Sequence, residues 1–385
     1  MNHILRLSGS TLLCLVAGGS SACSSDVDSN DETSDSVSKG KGVVQFMQRG
    51  DEACALLEDG KVYCYGLFFG RVAGGDRLGL TADPKRFVVG SSKSPLPPGI
   101  AISETSNDAC ILHKNGTVSC WGYDGYIEAK IATPVQGVTD AVAIDGLCAL
   151  TRSGKVTCWE PKATPATRGS YKAKVVAGVD DVVQISSGSN ASCALQRDGQ
   201  VLCWGKIATV IDQNVYFVST PTIVKGLDDV AEIRVSASAT GGATACARKS
   251  DGHVVCWGSK AINGGGVLDM NKDKAIEVEG IDDAIKVELY QGSACAIRKT
   301  GTVSCWGFHP FGGDAKLSPY DVPKLAGVRD LRIAWAGNSG GLSTACAVTK
   351  KKDVHCWGQT TYSLWGTLDI GYTTQPARVE AFDAF

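Results

Sequence analysis

The sequence lacks the residue patterns on which most enzyme mechanisms depend. It has five histidines in 385 residues, and only His309 lies in a variable loop outside the repeats described below. It contains no G-x-S-x-G, P-loop or H-E-x-x-H motif. A catalytic histidine or a metal centre would therefore depend on His309 alone, so we predict a non-enzymatic protein without metal or cofactor. A glycosidase pair of carboxylates stays open as an alternative, because spacing in sequence does not report proximity.

The chain also has no large excess of positive or negative charge. The chain has 38 Lys and Arg against 40 Asp and Glu, for a net charge of -2. Nucleic-acid binding depends on basic residues that neutralise phosphates, so this balance predicts no nucleic-acid partner. The 16 cysteines form no C-x-x-C pair and no ligand histidine recurs beside them, which argues against zinc.

The cysteines follow a fixed pattern. Seven times a cysteine is followed ten residues later by another, and each pair brackets a phrase close to C-A-L-x-x-x-G-x-V-x-C-W-G. The pattern pairs Cys54 with Cys64, Cys110 with Cys120, Cys148 with Cys158, Cys193 with Cys203, Cys246 with Cys256, Cys295 with Cys305 and Cys346 with Cys356.

Each phrase predicts a β-hairpin with a cross-strand disulfide. In the first copy the loop ends at Gly60, and glycine suits the positive φ that a three-residue hairpin loop needs. Counting outward from the loop places Cys54 opposite Cys64 at a non-hydrogen-bonded position, where Cα atoms lie about 4.5 Å apart and a disulfide is permitted. Each bridge should contribute roughly 2.5–3 kcal/mol; the alternative is seven pairs of reduced, buried thiols. Lys352 replaces the loop glycine in the last copy, which predicts a strained turn or a turn of another type.

A second phrase, a G-x-x-D turn followed by alternating apolar residues, predicts the rest of the fold. A further short strand precedes it, so that one unit holds four strands. Units of four strands that recur about every 50 residues predict an all-β, seven-bladed β-propeller over residues 43–385. The ring closes either between complete blades or through a blade that the two ends share. The phrase occurs at 137–144, 178–185, 226–233, 280–287 and 327–333.

Tryptophan follows the second cysteine in six of the seven copies, as at Trp121 and Trp357. A repeated aromatic at one position of a repeat predicts core packing of blade against blade. The alternative is an aromatic row that binds carbohydrate.

These phrases resemble the regulator of chromosome condensation repeat family, in the cysteine-bearing version of secreted bacterial proteins. The resemblance covers about residues 42–385. Members of that family include a nuclear exchange factor for a small GTPase, ubiquitin-ligase modules, a photoreceptor and a secreted β-lactamase inhibitor. The resemblance therefore implies protein binding across a propeller face; a nuclear role does not suit a chain with disulfides and an export signal.

Residues 1–22 resemble a signal peptide, with Arg6, a short apolar run and then small residues. The end of this segment resembles a bacterial lipobox, although Ser20 stands where Leu is usual. Fourteen of the 16 cysteines lie in the repeat pairs, and Cys14 leaves with the signal. Cys23 would be an exposed odd thiol unless it is lipidated. We predict lipidation at Cys23 and a flexible polar tether over residues 23–42; simple cleavage after Ala22 is the alternative.

The strand directions divide the loops between two faces of the propeller. Hairpin tips and G-x-x-D turns lie on one face, and loops of variable length lie on the other, where binding usually occurs. The variable loops carry aromatics, which are enriched in protein-interface hot spots; the alternative for each ring is packing under its own loop. The candidate binding face consists of Phe68, Phe69, Tyr126, Tyr216, Phe217, Phe311, Tyr362 and Trp365.

One variable loop resembles a metal site. Asp269, Asn271 and Asp273 have the spacing of the start of a calcium loop, but Lys274 replaces the expected glycine. The alternative is an ordinary solvated loop.

These observations predict an exported, lipid-anchored, monomeric propeller that binds a protein partner at the cell envelope and contacts the membrane only through its anchor. Ser24 after the lipidation cysteine indicates an outer-membrane or cell-surface lipoprotein; otherwise the protein is periplasmic or secreted. The alternatives are a stoichiometric inhibitor of a secreted enzyme and a propeller that binds or cleaves carbohydrate.

Overall fold

The computed structural model describes residues 42–49, 52–66, 85–86, 88–89, 94–105, 108–122, 132–160, 171–188, 190–207, 218–237, 243–258, 275–290, 292–307, 311, 316–335, 343–360 and 371–379. The strands in these stretches form seven blades of four antiparallel strands, arranged in a ring as a β-propeller. In the same stretches, no helix has the length and apolar character needed to cross a membrane.

The strands are numbered in chain order. Blade one holds β1 (Val43–Arg49), β2 (Glu52–Leu57), β3 (Val62–Gly66) and β4 (Lys85–Arg86), followed by the small ribbon β5 (Val88–Val89) and β6 (Ser94–Pro95). Blade two holds β7 (Gly99–Glu104), β8 (Asp108–His113), β9 (Val118–Gly122) and β10 (Thr133–Gln136). Blade three holds β11 (Ala141–Asp145), β12 (Cys148–Thr151), β13 (Val156–Cys158) and β15 (Lys174–Val175), and β14 (Tyr171–Lys172) adds in parallel to β10 of blade two. Blade four holds β16 (Val182–Ser187), β17 (Ala191–Gln196), β18 (Val201–Gly205) and β19 (Val218–Ile223).

The last three blades repeat the same order. Blade five holds β20 (Val230–Ala237), β21 (Ala243–Lys249), β22 (Val254–Gly258) and β23 (Ile276–Glu277). Blade six holds β24 (Ala284–Tyr290), β25 (Ser293–Arg298), β26 (Val303–Gly307) and β27 (Lys316–Asp321). Blade seven holds β28 (Val328–Trp335), β29 (Ser343–Thr349), β30 (Val354–Thr360) and β31 (Gly371–Arg378). In every blade the strand before the cysteine hairpin is first in the sheet, and the two cysteine strands follow it.

Each blade is one sequence repeat, and the ring closes between complete blades. β1 belongs to the first sheet and β31 to the last, with no strand exchanged between them. The first and seventh blades share one core cluster, in which Phe46 and Leu57 pack with Val348 and Val354. Closure therefore depends on side-chain packing between the first and last blades.

The predicted disulfide register is confirmed in six hairpins. Each of these cysteines lies opposite its partner in the ladder, as Cys203 lies opposite Cys193 and Cys256 lies opposite Cys246. The Cα atoms of each bonded pair lie 4.0–4.1 Å apart. The bonds join Cys110 with Cys120, Cys148 with Cys158, Cys193 with Cys203, Cys246 with Cys256, Cys295 with Cys305 and Cys346 with Cys356.

The first hairpin has the same register, because Cys54 lies opposite Cys64 in the ladder. The Cys64 side chain is outside the described part of the chain, so the bridge from Cys54 to Cys64 stays a prediction.

The recurrent tryptophans pack blade against blade, as predicted. Trp121 of blade two lies in one cluster with Met47 and Leu56 of blade one, and Trp306 of blade six packs with Val254 of blade five. Five of these side chains are buried, which does not favour an aromatic row that binds carbohydrate. They are Trp121, Trp159, Trp257, Trp306 and Trp357.

The hairpin of Lys352 has the same turn type as the others. Its φ is 71°, close to the 80° of Gly301, and its amide donates to the Thr349 carbonyl at 2.9 Å, as the Gly301 amide donates to Arg298 at 2.8 Å. A side chain in this region of φ costs roughly 1–2 kcal/mol. The prediction of a strained turn at Lys352 is therefore confirmed, and the alternative of a different turn type is wrong.

The alignment of the last G-x-x-D phrase is wrong by three residues. Lys350 of the seventh hairpin donates to the Gly327 carbonyl at 2.7 Å, and the equivalent bond in blade four runs from Arg197 to Asp181 at 3.0 Å. Gly327 therefore occupies the place of the second aspartate, and Lys324, with φ of 58°, occupies the place of the turn glycine. The seventh turn has no carboxylate at either aspartate position, because Ala326 and Gly327 stand there.

Candidate functional site

In most blades, the variable loop begins directly after a glycine whose conformation is constrained by its neighbours. Gly258 has φ of 115°, and a Cβ on it would lie 2.3 Å from the carbonyl oxygen of Ala243. Gly307 and Gly358 make equally close approaches, at 2.1 and 2.4 Å from the carbonyl oxygens of Gly292 and Ser343. The glycine of the W-G pair is thus required by close packing, and it sets the direction in which each variable loop leaves its blade.

Phe311 departs from the prediction that it lies on the binding face. Its side chain is 1% exposed, and its ring lies edge-on to Trp357 with ring centroids 5.7 Å apart. It belongs to the core cluster between blades six and seven, together with Ile297 and Leu331. Its apolar ring is therefore used in blade packing and is not available to a partner. The other candidates, Phe68, Phe69, Tyr126, Tyr216, Phe217, Tyr362 and Trp365, lie outside the described residues, as does the Asp269–Asp273 loop.

A cluster of charged side chains on the first strands of blades five to seven was not foreseen. On each of these strands, two residues of opposite charge flank one buried apolar residue, so that both charged side chains lie on the same side of the strand. The sign also alternates from blade to blade. The resulting checkerboard consists of Glu232 and Arg234, Lys286 and Glu288, and Asp330 and Arg332.

The checkerboard joins neighbouring blades through ion pairs. Arg234 Nε lies 3.4 Å from Glu288 Oε2, which also accepts from Arg332 Nη1 at 3.3 Å. Lys286 Nζ contacts Asp330 Oδ1 in the adjacent blade. A carboxylate from blade three completes the group, because Asp145 Oδ2 lies 4.0 Å from Arg234 Nη1. The side chains of four blades therefore meet at the axis of the ring.

The two aspartates of this cluster have opposite pKa shifts. Burial raises the pKa of Asp145, and the nearby cations Arg234 and Arg332 offset this only in part. The side chain has an exposed fraction of 30%, and Arg234, Arg332 and Glu288 of blades five to seven are close enough to act on its charge. Burial also opposes ionisation of Asp330, but Arg332 and Lys286 outweigh it and hold the pKa of Asp330 below its ordinary value.

Apart from Asp145, the corresponding positions of the other blades are small or neutral, and two glutamines there bond to the backbone of the next blade. Gln45 donates to the Ile102 carbonyl at 2.8 Å and accepts from its amide at 2.9 Å. Gln184 makes the same pair of bonds to Ile233, at 3.1 and 2.9 Å. In blade five Glu232 Oε2 accepts from the Val287 amide at 3.2 Å. We conclude that these axial positions lock adjacent blades together.

The described histidines and carboxylates form no reaction site that we recognise. His113 is buried between the Pro97 carbonyl, 3.0 Å from Nδ1, and Ser119 Oγ, 2.9 Å from Nε2, and burial lowers its pKa. Within the stretches that the structure covers, no group of three or more His, Cys, Asp and Glu side chains is placed to hold a metal ion.

The chain was compared with protein families and with solved structures. Residues 182–206 match the family described as regulator of chromosome condensation (RCC1) repeat. A search of curated sequences found no significant match. The structure is similar to human WBSCR16, with a TM-score of 0.61 and 18% identity over 80% of this chain and 87% of that one. It is also similar to yeast RCC1 (Prp20) bound to Kap60, with a TM-score of 0.60 and 17% identity over 80% and 81% of the two chains.

The likeness to these structures establishes the fold. The matched segment covers the innermost strand and the cysteine hairpin of blade four, and the same phrases recur in the other six blades. The chain is therefore a β-propeller, and its blade four matches the regulator of chromosome condensation (RCC1) repeat.

Proposed function

We propose that this protein is an exported, lipid-anchored, non-enzymatic propeller that binds a protein partner through its variable-loop face. The observation that carries the proposal is the rigidity of the frame behind those loops. Six described hairpins are cross-linked by disulfides, and the W-G glycines fix where the loops begin. Loops on such a frame lose less conformational entropy on binding, which favours affinity.

The family comparison supports protein binding in general. Yeast RCC1 was solved bound to Kap60, so a protein that contains this fold can engage a protein partner. At 17% identity neither that partner nor its binding mode transfers to this chain. Extracellular export is supported by the disulfides, since such bonds persist in oxidising compartments.

An affinity capture from an envelope extract of the host tests the binding face. The bait is the exported chain with Cys23→Ser, which stays soluble without the anchor. The face variant replaces five aromatics of the variable loops with alanine. A matched control places five alanines on the hairpin-tip face instead. The face variant changes Phe68, Phe69, Tyr216, Phe217 and Trp365, and the control changes Lys114, Thr139, Arg152, Ser250 and Thr300.

A protein that binds the unsubstituted bait and the control, but not the face variant, would support the proposal and identify the partner. Equal capture by all three baits, or no capture, would contradict a protein site on the loop face and would favour a glycan ligand. The anchor has its own test, because Cys23→Ser should release the protein from membranes washed at high salt, where surface charges are screened; retention of that variant would contradict lipidation.

A further inference from the structure

The chain enters the propeller on the hairpin-tip face, at the seam between the first and last blades. The Glu58 amide donates to the Gly42 carbonyl at 3.3 Å, which is the contact that Lys350 makes with Gly327 in blade seven. Gly42 also lies directly against the Lys352 side chain. Any tether that precedes Gly42 therefore leaves the folded domain beside the tip of blade seven.

On blades three to six, four cations of the tip face are paired with aspartates of the G-x-x-D turns. The turns before blades four, five and six each place two adjacent carboxylates next to the basic hairpin tips. The pairs are Lys155 with Asp180 at 3.9 Å, Arg197 with Asp181 at 3.1 Å, Lys249 with Asp228 at 3.0 Å and Arg298 with Asp282 at 3.2 Å.

At blade seven this pairing stops. The shifted turn carries Ala326 and Gly327 where the turns before blades four, five and six each carry two aspartates. Lys299, Lys350 and Lys351 are exposed, and among the described residues none of them has a carboxylate partner. Two further cations bind only neutral oxygens, because Lys324 Nζ donates to Gln375 Oε1 at 3.0 Å and Arg329 donates to the Val43 carbonyl.

We propose that this seam patch, made of Lys299, Lys324, Arg329, Lys350 and Lys351, docks on a lipid surface with anionic headgroups. The membrane in question is the one that carries the protein's own anchor. Clustered cations beside a membrane tether attract anionic lipid, with an effect confined to about one Debye length, roughly 10 Å at 0.1 M salt.

Two observations favour a lipid surface over a soluble anion. The patch and the point where the chain enters occupy the same sector of the same face, so an anchor at Cys23 brings the patch repeatedly to the membrane. If residues 24–41 form the tether that their composition predicts, its root-mean-square span is roughly 23 Å, which gives the patch a high local concentration at the surface.

Docking by this sector turns the variable loops toward the aqueous side, because they lie on the opposite face of the ring. This orientation depends on the proposed lipid anchor at Cys23. The affinity of the seam patch for anionic lipid is a property of the propeller itself and can be measured without the anchor.

Vesicle binding by the exported Cys23→Ser chain tests the patch. One set of vesicles contains phosphatidylglycerol in phosphatidylcholine, and the other contains phosphatidylcholine alone. The seam variant is Lys299→Gln, Lys350→Gln and Lys351→Gln. The control variant removes the same charge from the paired sector through Lys155→Gln, Arg197→Gln and Lys249→Gln.

We expect binding to the anionic vesicles at low salt, about tenfold weaker for the seam variant and nearly unchanged for the control. Inorganic phosphate at matched ionic strength should not compete. The proposal would be overturned if the protein bound neither kind of vesicle, or if both variants bound the anionic vesicles equally weakly. It would also be overturned if inorganic phosphate abolished vesicle binding, or if the protein bound duplex DNA more tightly than anionic vesicles.

Lysine acylation of the anchored wild-type protein on vesicles tests the orientation. Lys299, Lys350 and Lys351 should be protected relative to Lys155 and Lys225, as read by mass spectrometry; equal labelling would contradict docking by the seam. If Cys23→Ser does not release the protein from membranes washed at high salt but the seam variant still weakens vesicle binding, the lipid anchor fails and the lipid-binding patch stands.

Discussion

Lys352 of the last hairpin places its Nζ 2.6 Å from Glu58 Oε1 of the first hairpin, and this ion pair spans the seam of the ring. The same lysine fills space that a side chain on Gly42 would need, since a Cβ there would lie 2.0 Å from Lys352 Cδ. In the other blades the glycine is on the hairpin tip, as Gly301 packs against Gly327 of the next blade. At the seam the lysine is on the tip and the glycine faces it.

Gly42→Ala should destabilise the propeller by about 1–3 kcal/mol, because the added methyl overlaps the Lys352 side chain. Lys352→Gly alone should change the free energy of unfolding little. It relieves a positive φ, worth about 1 kcal/mol, but it removes an exposed ion pair worth up to about 1 kcal/mol. The double variant should recover most of the loss that Gly42→Ala causes. Urea denaturation of the four proteins measures each value.

Glu58→Gln is the matched control for this cycle, since it removes the ion pair and leaves the packing intact. Its effect should be small and should fade at high salt. If Lys352→Gly fails to rescue Gly42→Ala, steric conflict at the seam is not the cause of the loss.

The hairpin disulfides should each stabilise the protein by about 2–3 kcal/mol. Cys295→Ala with Cys305→Ala removes one bridge without leaving a free thiol, and its free energy of unfolding should fall by about that amount. Mass mapping of the wild-type protein should find every bridge within its own hairpin, including the one between Cys54 and Cys64. A bridge between blades would contradict the ladder register.

The fold could be predicted from the sequence because its signals are local and repeated. The spacing of Cys295 and Cys305, for example, reports a hairpin register that neighbouring residues alone determine. The shifted turn at Gly327 was misread because its glycine and aspartate mimic the repeat, and only the hydrogen bond from Lys350 shows the true alignment. Phe311 was misassigned because an aromatic in a variable loop carries no sequence signal for burial.

The axial cluster was missed although its signal is visible. The triplets around Ile233, Val287 and Leu331 each place opposite charges on either side of one apolar residue, a pattern typical of a strand with one polar side. What the sequence did not indicate is that these three strands are neighbours at the axis, and that Asp145 meets them there. That juxtaposition comes from closure of the ring.

Asp330→Asn should lower the free energy of unfolding at pH 7 by about 3 kcal/mol, because it leaves Lys286 without its carboxylate partner and removes a negative charge that attracts Arg332. Since the pKa of Asp330 is lower in the folded protein, its contribution is present above the unfolded value of about 3.9 and is lost as the pH falls through the folded value. Urea denaturation from pH 7 downward should therefore show the gap between wild type and variant narrowing in acid. A gap that does not change with pH would contradict the charge pairing.

Asp145→Asn should change the free energy of unfolding at pH 7 in the opposite direction from Asp330→Asn. Because burial raises the pKa of Asp145, its stabilising contribution is complete below the unfolded value of about 3.9 and is lost as the pH rises through the folded value. The ionised carboxylate is therefore unfavourable at pH 7, and the asparagine variant should be more stable than wild type there, with the difference vanishing in acid. Both variants remove one negative charge from the same axis, so a general effect of net charge would move both stabilities in the same direction. Opposite signs at pH 7 would show that the position of each carboxylate relative to Arg234, Lys286 and Arg332 decides its effect, whereas a destabilising Asp145→Asn would mean that its attraction to the axial arginines outweighs its burial.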